Sequence, residues 1–252
     1  MKRLFATALI VGAFFTRLGL GTWQVQRLAW KQDLIAQAEE RPSLPAVALA
    51  DLISEHGLEP LSSGLEEGGA PDSGALAYRR VSVEGRFVGE PVRVFTTLSD
   101  PVGAFEGPGY WMMQPFEIEG DTTGHLFVNR GFIPFLLPDG VTVTRPPEEP
   151  VSFEGLVRPN DPVDWMTPDP DLGDRIAYRR DIAQMAMLSG IEQVLPITVD
   201  MPAGEQGVLP QAGETKFAFS NRHLEYAITW YALTAVLVGV VGTVMWQRRR
   251  SA

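Results

Sequence analysis

Two apolar stretches, one toward each end of the chain, constrain its fold more than anything between them. From Tyr226 to Trp246 nearly every residue is apolar, about the twenty that a helix rising about 1.5 Å per residue needs to cross a bilayer. A second stretch runs from Leu4 to about Trp23, preceded by Met1-Lys2-Arg3 and interrupted by Arg17. A basic start before an apolar run also fits a signal peptide. No small-x-small cleavage site closes this one, however, and it continues through Leu18-Gly19-Leu20-Gly21-Thr22-Trp23, so it reads as an uncleaved anchor. Two spans set everything between them on one side of a membrane.

Lys2 and Arg3 before the first span and Arg248, Arg249 and Arg250 after the second place both tails in the cytoplasm by the positive-inside rule. Arg27, Lys31 and Arg222 then lie on the outer side, which weighs slightly against that orientation. A segment of roughly two hundred residues nonetheless translocates largely regardless of its charge. Arg17 would sit about 9 Å below Trp23 with its side chain leaning away from the nearer interface. Either it snorkels with local water penetration or it faces another subunit or an anionic ligand.

Composition excludes whole classes of function. A net charge of -10 and a pI near 4.8 argue against a nucleic-acid surface, which needs a basic stripe. With no cysteine among 252 residues, disulfides, thiolate catalysis, zinc-thiolate centres and covalent C-x-x-C-H haem attachment are all ruled out.

The expected organisation is a transmembrane helix over 1–25, its helical extension over 26–42, a mobile loop over 43–77, an extracytoplasmic β-rich domain over 78–217, a second transmembrane helix over 218–247 and a basic cytoplasmic tail over 248–252. The extension rests on Trp23, Arg27, Trp30 and Leu34, which fall on one helical stripe. The loop is rich in Pro, Gly, Ser and Glu, with a short helix near Leu49 to His56.

From Tyr78 the pattern becomes β, with strands expected at Val81–Val83, Val92–Phe95, Tyr110–Ile118, His125–Asn129, Val141–Val143, Val151–Val157 and Ile197–Val199, and a hairpin turn at Glu119-Gly120-Asp121. One helix interrupts them. Asp181 caps it with Gln184 three residues on, Ile182, Met185 and Leu188 make its buried stripe, and Gly190 ends it. The fold class is a membrane protein: two transmembrane α-helices flanking a mainly antiparallel β barrel or sandwich with one or two short helices.

Catalysis has little support. No nucleophile elbow, Walker loop, dinucleotide fingerprint or His-Glu-x-x-His segment is present, and the acidic pairs Glu148-Glu149 and Asp169/Asp171 lie in Pro-rich turns. Met112-Met113 point to opposite faces of a strand, which does not suit copper, and His125 reads as an edge histidine. In Asn129-Arg130-Gly131 the arginine reads first as a buried bidentate pair with a carboxylate, holding a loop over the barrel mouth, and second as an anion pocket.

His223, at the threshold of the second span, shares a helical face with Tyr226 and Trp230 (i, i+3, i+7) at the depth where hydrocarbon meets headgroups. It is either an interfacial histidine bonded to a headgroup or a carbonyl, or a ligand. Trp23 and Trp30 serve equally as interfacial anchors. Arg27 and Lys31, one turn apart, offer positive charge to an acidic group at the outer surface.

Four blocks carry a family resemblance. They are Leu20-Gly21-Thr22-Trp23-Gln24-Val25-Gln26-Arg27-Leu28-Ala29-Trp30-Lys31, Tyr78-Arg79-Arg80-Val81-Ser82-Val83-Glu84-Gly85-Arg86-Phe87, Val128-Asn129-Arg130-Gly131-Phe132-Ile133-Pro134 and Asn221-Arg222-His223-Leu224-Glu225-Tyr226-Ala227-Ile228-Thr229-Trp230. In this order, with two spans, they resemble the Surfeit locus protein 1 family, the Surf and Shy assembly factors of haem-copper cytochrome oxidases.

The resemblance implies a non-enzymatic factor of the bacterial cytoplasmic membrane, with its β-rich domain periplasmic, that binds haem a and assists its insertion into cytochrome c oxidase subunit I. Haem a synthase is a further partner. His223 would ligate the haem iron, Trp23, Tyr226 and Trp230 would wall the macrocycle, and Arg27, Lys31 and Arg222 would meet its propionates. The alternative is an assembly scaffold that stabilises subunit I without binding haem; a third reading is a sensory or ligand-binding outer domain on two anchors. The long segment before Tyr78 and Arg17 depart from the family pattern.

Overall fold

The computed structural model describes residues 2–61, 76–120, 124–161, 163–215 and 222–250. By its internal contacts the chain divides into two units, Met1–Gln37 with Phe217–Ala252, and Ala38–Lys216.

The first unit holds the first and last of the four α-helices among the described residues, α1 (Lys2–Glu40) and α4 (His223–Arg250). Both are long and apolar enough to cross a membrane, over Ala8–Gln32 and His223–Arg250; at 1.5 Å per residue these run about 37 and 42 Å, against a hydrocarbon core of about 30 Å. Almost no residue in either span is buried by the protein itself. Phe15, Val236, Val240 and Met245 face outward, a surface that water would solvate poorly and lipid solvates well.

Polar groups on the spans are satisfied locally. The Thr22, Thr229 and Thr234 hydroxyls donate to the Leu18, Glu225 and Trp230 carbonyls one turn back. Arg17 Nη1 donates to the Ala13 carbonyl at 3.2 Å, so its helix supplies the partner and no acidic group is engaged among the described residues.

The second unit is a barrel. Its strands are β1 (Val47–Ala48), β2 (Arg80–Phe87), β3 (Val92–Leu98), β4 (Gly107–Ile118), β5 (His125–Pro134), β6 (Val151–Pro159), β7 (Ile176–Ala177) and β8 (Val194–Asp200), with α2 (Leu49–His56) and α3 (Ile182–Ser189) between them. The order β2-β6-β8-β5-β4 closes on itself through a β2–β4 pairing, and β3 with β7 extends outward from β4. Around the ring only β5 and β8 run parallel; the remaining pairs are antiparallel. This is the expected barrel, with one parallel seam that no hairpin could have produced.

Closure at β2–β4 depends on Gly85, at φ +154 beside Glu117: a Cβ there would fall on the Glu117 carbonyl oxygen. Glycine alone lets the two backbones approach that closely.

Alternation along the strands builds two cores. Val81, Val83, Phe116, Leu126, Val128, Ile197 and Val199 fill the barrel, and Leu49 and Leu52 of α2 close it. On the opposite face of β5, β8, β4 and β3, Phe127, Val194, Met113, Val92 and Val94 pack against Ile182, Met185 and Leu188 of α3. All seven residues of β8 are therefore buried. The α3 helix matches its sequence signature: Asp181 accepts from the Gln184 N–H at 2.8 Å and Gly190 ends it in the left-handed region.

Two expectations are corrected. Val141–Val143 forms no strand; Val143 makes a single bridge to Leu209, because Pro146, Pro147 and Pro150 follow and withhold ladder donors. Arg130 pairs with no carboxylate among the described residues. It donates to the Thr144 carbonyl at 2.9 Å and lies over the Phe87 ring, so it does hold a loop, through a neutral acceptor. Of the expected hairpin turn, Asp121 lies outside the described residues, as do positions 62–75 of the expected mobile loop.

Candidate functional site

Within the helical unit, α1 and α4 meet antiparallel. Gly21 allows the approach: a Cβ there would stand 2.9 Å from the Tyr231 ring, and Thr22 Oγ1 lies 3.3 Å from the Tyr231 hydroxyl. Two turns of α4 away, His223 Nδ1 is 2.6 Å from Gln24 Oε1. The His223 ring stands edge-on to Trp23, with centroids 6.5 Å apart.

An amide oxygen can only accept, so Nδ1 carries the hydrogen of this contact and Nε2 is the ring nitrogen left to present. That is how a ligating histidine is usually held: one nitrogen fixed by a hydrogen bond, the other presented. His223 is half-buried.

The remaining expected site residues are less convergent. Tyr226 is exposed and Trp230 half-buried, and neither pairs its ring with His223. The Arg27 guanidinium lies over the Trp30 ring at 3.7 Å, a cation–π contact one turn along its own helix. Arg222 is exposed at the start of α4.

Gln24, Thr22 and Gly21 enter the helix contact although only the composition of their block pointed to them, and Tyr231 enters it from just beyond the last block. The usable signal was a Thr-Trp-Gln run where a span emerges from hydrocarbon, placing polar side chains in need of partners. Farther along, Ile10, Phe14, Leu237, Val241 and Met245 line an entirely apolar groove of 480 Å³. Its near edge is fourteen residues, about 21 Å, from His223 along α4, and it suits a hydrocarbon chain.

The barrel unit contains a buried charge network around the Asn129-Arg130-Gly131 block. Asp200 Oδ1 accepts from Arg180 Nη1 at 2.8 Å and from Asn129 Nδ2 at 3.1 Å, and Oδ2 accepts from Thr215 Oγ1 at 2.6 Å. The buried arginine–carboxylate pair therefore exists at Arg180, just before α3, which sequence reading passed over because its partner is twenty residues on, at the end of β8. Burial alone would push the Asp200 carboxyl up; the Arg180 and Arg158 guanidiniums and the hydrogen bonds from Thr215 and Asn129 outweigh it and hold the group below the usual carboxylate range. Burial pushes the Arg180 guanidinium down, with Asp200 opposing; it remains a cation.

Gly131 completes the block. It sits at φ +130, its N–H donates to Asn129 Oδ1 at 3.0 Å, and a Cβ would fall on the Gln211 backbone. Gln211 in turn donates to Glu214 Oε1 at 2.8 Å.

Comparison with known proteins identifies the family. The profile of the SURF1 family matches residues 10–235. Human Surfeit locus protein 1 is 33% identical over 236 residues, covering 87% of this chain and 71% of the human one. A SURF1-like protein of Monosiga brevicollis is 28% identical over 88% of this chain and 80% of its own length; Surfeit locus protein 1 of Gallus gallus is 30% identical over 87% and 69%. Both spans, the barrel and all four sequence blocks fall at least partly within the matched region, and the chain belongs to the SURF1 family, known as cytochrome oxidase assembly factors.

Proposed function

We propose that the chain binds haem a between its two spans and assists its insertion into cytochrome c oxidase subunit I. The observation that carries this reading is the Gln24–His223 hydrogen bond at 2.6 Å, which engages Nδ1 of a half-buried histidine and leaves Nε2 as its available ring nitrogen at the edge of an apolar helix pair. When bound, haem a supplies an iron that takes an imidazole ligand, a flat macrocycle, two carboxylates and a long apolar tail.

The chain's part is to hold it. His223 would hold the iron through its free ring nitrogen, with Gln24 fixing the ring's orientation; Trp23, Tyr226 and Trp230 would offer apolar walls to the macrocycle, and Arg27, Lys31 and Arg222 would offer positive charge to the propionates. Nothing in this role needs a covalent step. The antiparallel pairing of α1 and α4 supports both termini lying on one side, and Arg248 to Arg250 support that side being the cytoplasmic one; in the bacterial inner membrane that we propose, the barrel is then periplasmic.

The test is an optical spectrum with a pyridine haemochrome assay of detergent-purified protein co-expressed with haem a synthesis, wild type beside His223→Ala. Near-stoichiometric haem a in the wild type and its loss in the variant sustain the reading. Colourless protein in both, with oxidase assembly still dependent on the chain, replaces it with a scaffold for subunit I.

A further inference from the structure

The barrel unit carries a cavity that the haem reading does not use. It measures 190 Å³ and lies where β3, β4, β6 and β8 end, lined by Leu98, Ser99, Trp111, Arg158, Arg180 and Asp200 among others. Its two carboxylates are already engaged. Asp200 is held by Arg180, Asn129 and Thr215, and Glu214 accepts from the Val102 and Gly103 N–H groups and from Gln211.

The arginines are not equally engaged. Arg180 spends Nη1 on Asp200. Arg158 has a buried Nε with no hydrogen-bond partner, and its guanidinium rests over the Tyr78 ring at 4.8 Å without an ion pair among the described residues. A buried guanidinium nitrogen left unbonded is costly. The Arg158 side chain and the exposed Ser99 line the cavity, so the donors that face it without an acidic partner are this guanidinium and the Ser99 hydroxyl, while Leu98 and Trp111 supply an apolar wall.

We propose that this cavity binds the carboxylate of a small acid with a short apolar body. The carboxylate lies against Arg158, whose planar fork suits two oxygens, and the apolar body lies against Trp111 and Leu98. The volume excludes a macrocycle or a folded partner and admits an acid of a few carbons.

Thermal unfolding of the full chain in detergent tests this, with butyrate as the probe and chloride and inorganic phosphate at matched ionic strength as controls. A ligand that binds only the folded state raises the unfolding temperature with concentration. Butyrate is expected to give a saturable rise that chloride does not. Arg158→Gln is expected to weaken binding at least tenfold, with Arg158→Lys retaining part of it. Ser99→Phe, at the exposed rim and outside the buried network, is expected to block the cavity and abolish the rise, which keeps the test decisive should Arg158→Gln fail to fold. No butyrate-specific rise, an equal rise with phosphate, or an unchanged rise in Ser99→Phe overturns the proposal.

Discussion

His223 and Gln24 are 199 positions apart in sequence, and their side chains lie 2.6 Å apart, imidazole Nδ1 to amide Oε1. The contact ties the start of α4 to α1 at Gln24 and fixes which ring nitrogen is left free. If that nitrogen serves as a ligand, its orientation depends on a neutral amide that a ligand search would not pick out.

Replacing Gln24 with Leu removes the acceptor while leaving His223 in place. Partners that orient a ligating histidine typically contribute about 10–100-fold in affinity. Gln24→Leu is therefore expected to lower haem a retention by about that factor, read from the haemochrome spectrum during dilution in detergent, whereas His223→Ala removes it. Equal retention in Gln24→Leu and wild type would show that the amide has no orienting role.

The Arg180–Asp200 pair is nearly sealed, with the side chains 11% and 5% exposed. Asp200→Leu strands a buried guanidinium, and breaking such a pair costs about 3–5 kcal/mol. The double variant Arg180→Met/Asp200→Leu is expected to recover much of that loss, since a buried pair replaced by apolar residues of similar volume is often close to neutral. Denaturant melts of the three proteins measure both steps.

The same pair sets the acid limb of stability. Asp200 has a folded-state pKa below its unfolded value of about 3.9. Its contribution is therefore complete above about pH 4 and is lost as the pH falls through the folded value. The wild-type barrel is expected to lose stability in that range and the double variant to lose less. Glu117 and Asp164 are shifted the same way, but they are solvent-exposed and screened and add little. Melting curves from pH 6 down to pH 2 decide the matter.

Gly131→Ala tests the third block. Its φ of +130 and the Gln211 backbone behind it leave no room for a side chain. Backbone strain of this kind costs about 1–3 kcal/mol before any steric clash is added. The variant is expected to melt earlier, with Glu214 and Gln211 displaced; an unchanged melting temperature would mean that the two backbones separate freely.

Much of the architecture was legible in the residues. The spans follow from apolar length, α3 from its apolar stripe and from Asp181 and Gly190, and most strands from alternation bounded by glycine and proline; α2 falls where a short helix was expected. These are local signals, because the helix or strand period and the cap chemistry act within a few residues. His223 and Trp23 could be marked for the same reason, as aromatic and ionisable side chains at the edge of an apolar run.

What the sequence could not determine was pairing. That β5 and β8 run parallel, that Asp200 chooses Arg180 over the more conspicuous Arg130, and that Gln24 meets His223 depend on which distant segments the chain packs together. A hydrogen bond requires about 3 Å and an angle, and neither is encoded in the spacing of residues along one strand or helix. The sequence supplied the groups and their local order; only the tertiary structure decided which of them are buried together, and burial is what turns a common arginine, glutamine or aspartate into a partner whose loss the fold would register.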